Sequence, residues 1–249
     1  MKKLENRVAL VTGASSGIGE AIVRAYAAEG AHVGVCYAHA KDAADRICKE
    51  LMEEHGIRAI SIKCDVSSPE DITNMVETMI KEFGRIDILV NNGGASHPDT
   101  LDSVTLETWN KVMAVDLTGP FLAVKAVAPY MKAQHYGRII NVSSSSVLKS
   151  QTGNIAYISA KGGLNTFSKA VSKELVPYGI NVNILSPGPT NTRMFKAVPK
   201  EIYDQCCADL PLGRLAEPEE TARTAVFLAS SDGDIYVGKN FAADCGENI

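Results

Sequence analysis

Tyr157 and Lys161 stand four residues apart in the stretch Thr152-Gly153-Asn154-Ile155-Ala156-Tyr157-Ile158-Ser159-Ala160-Lys161. On a helix that spacing stacks both side chains on one face, about one turn apart. A free phenol, with a pKa of about 10, exchanges its proton poorly at neutral pH. An ammonium one turn away favours the phenolate. The pair therefore reads as a candidate proton donor and acceptor. The same spacing occurs on many surface helices, so its meaning depends on what the rest of the chain places around it.

Those surroundings alternate between strand and helix patterns. Residues 7–11 are a short apolar run of strand type, followed by Thr12-Gly13-Ala14-Ser15-Ser16-Gly17-Ile18-Gly19 and a helical stretch over 20–29. Strand, glycine turn and helix form the context in which backbone N–H groups and a helix N-terminus receive a pyrophosphate. The glycine spacing here is G-x-x-x-G-x-G, whereas the commoner dinucleotide fingerprint is G-x-G-x-x-G. Further strands are expected over 32–37, 58–66, 86–90, 138–142, 180–185 and 241–243, with helices over 41–55, from Ser68 to Phe83, over 105–134 with a bend near Gly119-Pro120, from Tyr157 to about Val176, and over 217–230. Residues 190–215 read as an irregular or short-helical segment able to cover a substrate, with a moderately apolar stretch over 193–198. No linker or repeat divides the chain. The pattern predicts one α/β domain over 1–249, a doubly wound parallel sheet with helices on both faces. Ligands of such sheets sit at the carboxyl ends of the strands. There the sequence places Tyr37, Asp65-Val66, Asn91-Asn92-Gly93-Gly94, Ser143-Ser144-Ser145-Ser146 and the segment from Pro187 to Thr192.

The chain has 249 residues and a net charge of −4, with no broad basic surface to favour nucleic acid as a partner. No uninterrupted apolar run reaches the roughly 18 residues of a membrane span, and the N-terminus lacks a signal peptide's apolar stretch. A cytoplasmic protein is expected. Cys36, Cys48, Cys64, Cys206, Cys207 and Cys245 form no C-x-x-C pair and no zinc-type cluster with histidine, so no metal site is expected. Cys36 and Cys64 read as core residues. The adjacent Cys206-Cys207 reads as packing in the substrate segment in preference to a redox pair.

Taken together, Thr12-Gly13-x-x-x-Gly17-x-Gly19, Asn91-Asn92-Gly93-Gly94, Ser144, Tyr157-x-x-x-Lys161 and Pro187-Gly188 resemble, in order and spacing, the single-domain short-chain dehydrogenases/reductases over essentially the whole chain. Within that family the chain is similar to the group holding 3-oxoacyl-carrier-protein reductases, glucose dehydrogenases and many hydroxysteroid dehydrogenases. It implies a Rossmann-type sheet of about seven strands and hydride transfer between a ketone and a secondary alcohol. Tyr157 would exchange a proton with the substrate oxygen. Lys161 would lower its pKa and hold the nicotinamide ribose, and Ser144 would hydrogen-bond the oxygen. The other serines would satisfy backbone groups of their turn. Gly13, Ser15, Ser16, Gly17, Ile18 and Gly19 would cradle the pyrophosphate. Tyr37, Asp65, Val66 and Asn92 match positions near the adenine and its ribose. Pro187, Thr190 and Thr192 match the segment that fixes the nicotinamide. Homodimers and homotetramers are common in the family, and a small carbonyl or alcohol substrate is the expected partner. 3-Oxoacyl thioesters, steroids or cyclic alcohols, and sugars or polyols stay open. So does a sensor or scaffold that binds cofactor without turnover.

Three departures stand out. Asp116 replaces the family's asparagine, which stabilises a helix bend and helps hold a water behind the lysine; an ionised carboxylate accepts hydrogen bonds but donates none. Gly93 replaces an alanine, and Cys245 replaces a glycine, for which a local packing change or a small effect on subunit contacts is expected. After the second strand, Tyr37-Ala38-His39-Ala40-Lys41 lacks the acid that binds a ribose 2′-hydroxyl in NAD users. NADP(H) is therefore expected over NAD(H), with His39 or Lys41 available to a 2′-phosphate.

Overall fold

A computed structural model describes residues 2–149, 152–192, 195 and 198–249. Seven strands, β1 Val8–Val11, β2 His32–Tyr37, β3 Ala59–Lys63, β4 Ile88–Asn91, β5 Gly137–Val142, β6 Ile180–Pro187 and β7 Asn240–Ala243, form one parallel sheet in the order β3-β2-β1-β4-β5-β6-β7. The order reverses between β1 and β4, which opens a crevice at their carboxyl ends. Side chains along each strand alternate between faces. Ala9, Val11, Ile88 and Val90 join the core under the helices Gly17–Ala28 (α1), Lys41–His55 (α2) and Pro218–Ala229. Val8, Leu10 and Leu89 join the opposite core, under Pro69–Phe83 (α3), Gly119–Gln134 (α5) and Ile155–Leu175 (α7), the last preceded by the short helix Ser146–Lys149 (α6).

Local chemistry explains the element ends. Ser68 accepts from Asp71 N–H at 3.2 Å, with Pro69 at the first helical position, and Gly84 closes α3 in the left-handed region at φ +76°. Several boundaries differ from the sequence expectation. α1 begins at Gly17, so the second and third glycines of the turn lie inside its first turn. β3 ends at Lys63, leaving Asp65-Val66 in the following turn, because the Asp65 N–H bonds to the Asp71 carboxylate at 2.9 Å rather than to a strand.

The expected bend near Gly119 is instead a π-helical turn over Ala114–Thr118, between Leu106–Met113 (α4) and α5. A Cβ on Gly119 would lie 2.4 Å from the Val66 carbonyl oxygen, so only glycine lets the helix approach this closely. The continuous helix Leu106–Gln134 is long and apolar enough to cross a membrane by length and composition, although charged residues interrupt its apolar run. In the fold its Ala123, Val124, Val127 and Met131 are buried against the sheet.

Candidate functional site

At the end of β1 the chain turns into α1 around Thr12. The Thr12 hydroxyl accepts the N–H groups of Asn92 and Gly93, each at 3.0 Å. The Asn92 side-chain amide donates in return to the carbonyls of Thr12 at 3.0 Å and Gly13 at 3.1 Å. This lock joins the first and fourth strand ends. Gly13 and Gly17 take positive φ, +62° and +59°. A Cβ on Gly19 would lie 2.4 Å from Gly13 O. The result is a bare backbone cradle at a helix N-terminus, the geometry and dipole that suit a pyrophosphate. Ser15 is half-buried, Ser16 is exposed at the N-cap without a side-chain cap bond, and Ile18 packs on the core. Thr192 reaches the cradle from the far side, 3.4 Å from where a Gly17 Cβ would stand. The residues present thus fit a dinucleotide.

Beyond the cradle lies a cleft of about 630 Å³ whose lining includes Tyr37, His39, Lys41, Lys63 and Asp65. Tyr37 is buried at the end of β2. The Asp65 carboxylate accepts from Ser67 N–H at 2.9 Å and Oγ at 2.7 Å, which holds it below the usual carboxylate range. Lys41 is paired with Asp45 at 2.5 Å. The Lys63 side chain is exposed and has no partner among the described residues. The sequence reading missed Lys63. Its signal was present: it is the last residue of β3, in register with Tyr37.

At the opposite end Tyr157 lies in the first turn of α7 and Lys161 one turn on, with Nζ 5.7 Å from the phenol ring centroid. Lys161 is buried and donates to the Val142 carbonyl at the end of β5, 2.9 Å away. Its Nζ is 3.1 Å from Asp116 Oδ1. Asp116 is also buried, in the π-helical turn, and its Oδ2 accepts the Ala95 N–H at 3.0 Å. Burial pushes the Asp116 carboxyl above the usual range, and the Lys161 charge opposes that rise without cancelling it. Gly94 borders the pair: a Cβ there would lie 2.9 Å from Asp116 Oδ1.

Ser144 is buried just beyond β5, its hydroxyl donating to Ser146 Oγ at 3.1 Å and accepting Ser146 N–H at 3.2 Å. Ser143 Oγ donates to the Lys161 carbonyl at 3.4 Å, a backbone group of α7 and not of the serine turn. Ser145 differs: its hydroxyl goes to the Glu247 side chain, because the chain's last residues fold back over this loop. Pro187 ends β6, and the buried Thr190 donates to Gly188 O at 2.8 Å. Arg193, Met194, Lys196 and Ala197 of the expected substrate segment lie outside the described residues. The rest of it includes the helix Lys200–Asp209, where Cys206 and Cys207 are half-buried and unpaired. Cys36 and Cys64 are buried, as expected. Among the described residues no group of histidine, cysteine or carboxylate side chains could hold a metal ion.

A family model described as enoyl-(acyl carrier protein) reductase matches residues 13–248. A 3-oxoacyl-[acyl-carrier-protein] reductase of Synechocystis sp. is 39% identical over 247 residues, 99% of this chain and 98% of that one. The chain belongs to the short-chain dehydrogenase/reductase family. It is an NAD(P)(H)-dependent oxidoreductase of that family. An acetoacetyl-CoA reductase of Shinella zoogloeoides is likewise 39% identical, over 97% of this chain and 98% of its own. The short-chain reductase fold extends to sugar enzymes: L-sorbose reductase of Gluconobacter frateurii, solved with NADPH and L-sorbose, matches with a TM-score of 0.95 at 30% identity, covering 100% of this chain and 99% of that one.

Proposed function

We propose that this enzyme reduces the 3-oxo group of an acyl thioester to the secondary alcohol, using NADPH. The observation that carries the chemistry is the setting of Lys161. Its side-chain nitrogen is held by Val142 O and Asp116, 5.7 Å from the Tyr157 ring centroid. In this reading the Tyr157 hydroxyl gives its proton to the carbonyl oxygen, and takes one back in the reverse direction. Ser144 hydrogen-bonds the same oxygen and orients it. Lys161 sits beside the phenol and holds the nicotinamide ribose, while Asp116 holds Lys161. When bound, the nicotinamide supplies the hydride. Gly13 to Gly19, Asn92 and the Asp65-Val66 turn hold the nucleotide half, and Pro187, Thr190 and Thr192 orient the nicotinamide. Residues 190–215 cover the substrate within one domain spanning 1–249.

The thioester is favoured by two relatives at 39% identity over almost their full lengths. L-Sorbose reductase, at 30%, makes a sugar ketone the second reading. NADPH is favoured by the absence of an acid after β2 and by the unpartnered Lys63 facing the cleft beside His39 and Lys41. Six free thiols suit a reducing cytoplasm, and a homodimer or homotetramer is the expected assembly. The test is a substrate panel of acetoacetyl-CoA, L-sorbose and crotonyl-CoA with each reduced nicotinamide, followed by loss of nicotinamide absorbance. Highest kcat/KM for acetoacetyl-CoA with NADPH supports the proposal. Preference for L-sorbose moves the substrate to a sugar, preference for crotonyl-CoA moves the reaction to a carbon–carbon double bond, and preference for NADH overturns the cofactor assignment.

A further inference from the structure

The last residues of the chain return to the serine loop. After β7, Glu247 N–H donates to Asp244 O at 3.1 Å, and the Asp244 carboxylate accepts Gly246 N–H at 3.1 Å and the Asn248 side-chain amide at 2.8 Å. Cys245 and Gly246 both take left-handed φ, +56° and +83°, which curls this turn tightly. The family's glycine at position 245 is therefore a conformational choice, and the cysteine adopts the same shape. The turn is pinned on two sides. Leu212 N–H donates to Cys245 O at 3.3 Å, and Gly188 N–H donates to Ala243 O at 3.0 Å. From it Glu247 points inward with its side chain only 8% exposed. Its Oε2 accepts the hydroxyl of the buried Ser145 at 2.5 Å, and its Oε1 lies 3.5 Å from Lys149 Nζ. The Ser145 N–H is itself fixed to Pro187 O at 2.9 Å.

We propose that Glu247 is a positioning residue for Ser144, acting through Ser145. The tail clamps the peptide that carries Ser144 while touching the end of the substrate segment at Leu212. Placement of the substrate-oxygen partner is thereby linked to the segment that covers the substrate. A carboxylate is suited to the task because one oxygen receives the serine hydroxyl and the other faces the lysine. Hydrogen bonds to a charged acceptor are the stronger kind. The proposal rests on the reading of Ser144 as the group that hydrogen-bonds the carbonyl.

The test uses the whole enzyme with NADPH and acetoacetyl-CoA, or whichever substrate the panel selects. Glu247→Ala is expected to lower kcat/KM about tenfold or more, with NADPH affinity kept within twofold. Glu247→Gln, whose amide oxygen still accepts from Ser145, is expected to recover most of that loss. Ser145→Ala, a smaller deletion, should match Glu247→Ala, and the double variant should be no worse than either alone. Additive losses, a Gln variant as poor as the Ala variant, NADPH binding lost in step with turnover, or Glu247→Ala within twofold of the parent would each overturn the latch. Ser144→Ala is the control for the underlying reading. If that variant keeps full activity, Ser144 is not the oxygen partner. If it is inactive while Glu247→Ala is normal, the latch alone fails.

Discussion

Asp116 and Lys161 form an ion pair, Oδ1 to Nζ 3.1 Å, with both side chains almost wholly out of solvent. Burying two charges is expensive, and such a pair is weak evidence of stability in itself. Here burial outweighs the lysine and raises the Asp116 carboxyl above its ordinary 3.8. Below that ordinary value the group is protonated in both folded and unfolded chains. As pH climbs from there through the raised folded value, the unfolded chain has already released its proton, and stability falls. Asp116→Asn removes this contribution. The stability of the parent relative to Asp116→Asn should therefore decline with rising pH over that window, read from denaturation midpoints at a series of pH values. A difference that stays constant with pH would contradict the buried, proton-retaining carboxyl. Turnover of the same variant against pH then tells whether Asp116 also serves proton movement: an unchanged profile removes it from any relay.

Tyr157→Phe deletes only the oxygen that is to exchange the proton. The ring stays, and with it the packing against the cluster of Val112, Ala156 and Ala160. Turnover should drop by roughly 10²–10⁴-fold, while NADPH binding measured by fluorescence stays close to the parent's. Full activity in this variant would overturn the assignment of the acid and base.

Glycines of the site divide by what a methyl would touch. At Gly93 an added Cβ would stand 3.4 Å from Thr12 Oγ1 and 3.6 Å from the Val66 methyls, ordinary contact. Gly93→Ala should therefore stabilise the fold by about 0.4–1 kcal/mol, chiefly by restricting the unfolded chain. At Gly19 the same atom would lie 2.4 Å from Gly13 O and 2.5 Å from Asn92 Nδ2. Gly19→Ala should destabilise by about 1–3 kcal/mol and weaken both reduced nicotinamides alike. Thermal midpoints and cofactor titrations on the two variants distinguish these outcomes.

Lys63 lines the cleft at the end of β3 and has no partner among the described residues. If it meets a 2′-phosphate, Lys63→Ala should raise KM for NADPH by roughly tenfold, the scale of one hydrogen bond to a charged group. KM for NADH should barely move. Equal changes for both cofactors would show that Lys63 contributes no selectivity.

The sheet and its helices were readable because strand and helix periodicities alternate cleanly and glycine or proline marks the ends, as at Gly56, Gly84 and Pro69. The Tyr157–Lys161 pair was readable because four residues on a helix fix a relative position in space. What escaped the sequence came from contacts between distant segments. The sequence marks a bend near Gly119-Pro120, but nothing local to Asp116 says that the bend takes the form of a π turn over Ala114–Thr118. Nothing local to Ser145 says that its partner lies 102 positions later in the chain. Lys63 was overlooked for a different reason. The third strand was extended past its true end, so the residue that faces the cleft was counted as strand interior.

The contact of Gly119 with the Val66 carbonyl also bears on any redesign of this enzyme. Val66 belongs to the turn assigned to the nucleotide, and Gly119 directly follows the turn that carries Asp116. Moving the Val66 backbone to recruit another coenzyme would press on the helix that sets the acid behind Lys161. Engineers seeking a switched coenzyme therefore have a safe palette at His39, Lys41 and Lys63, whose side chains line the open cleft. Edits to the main chain at 66 would trade one trait against the other.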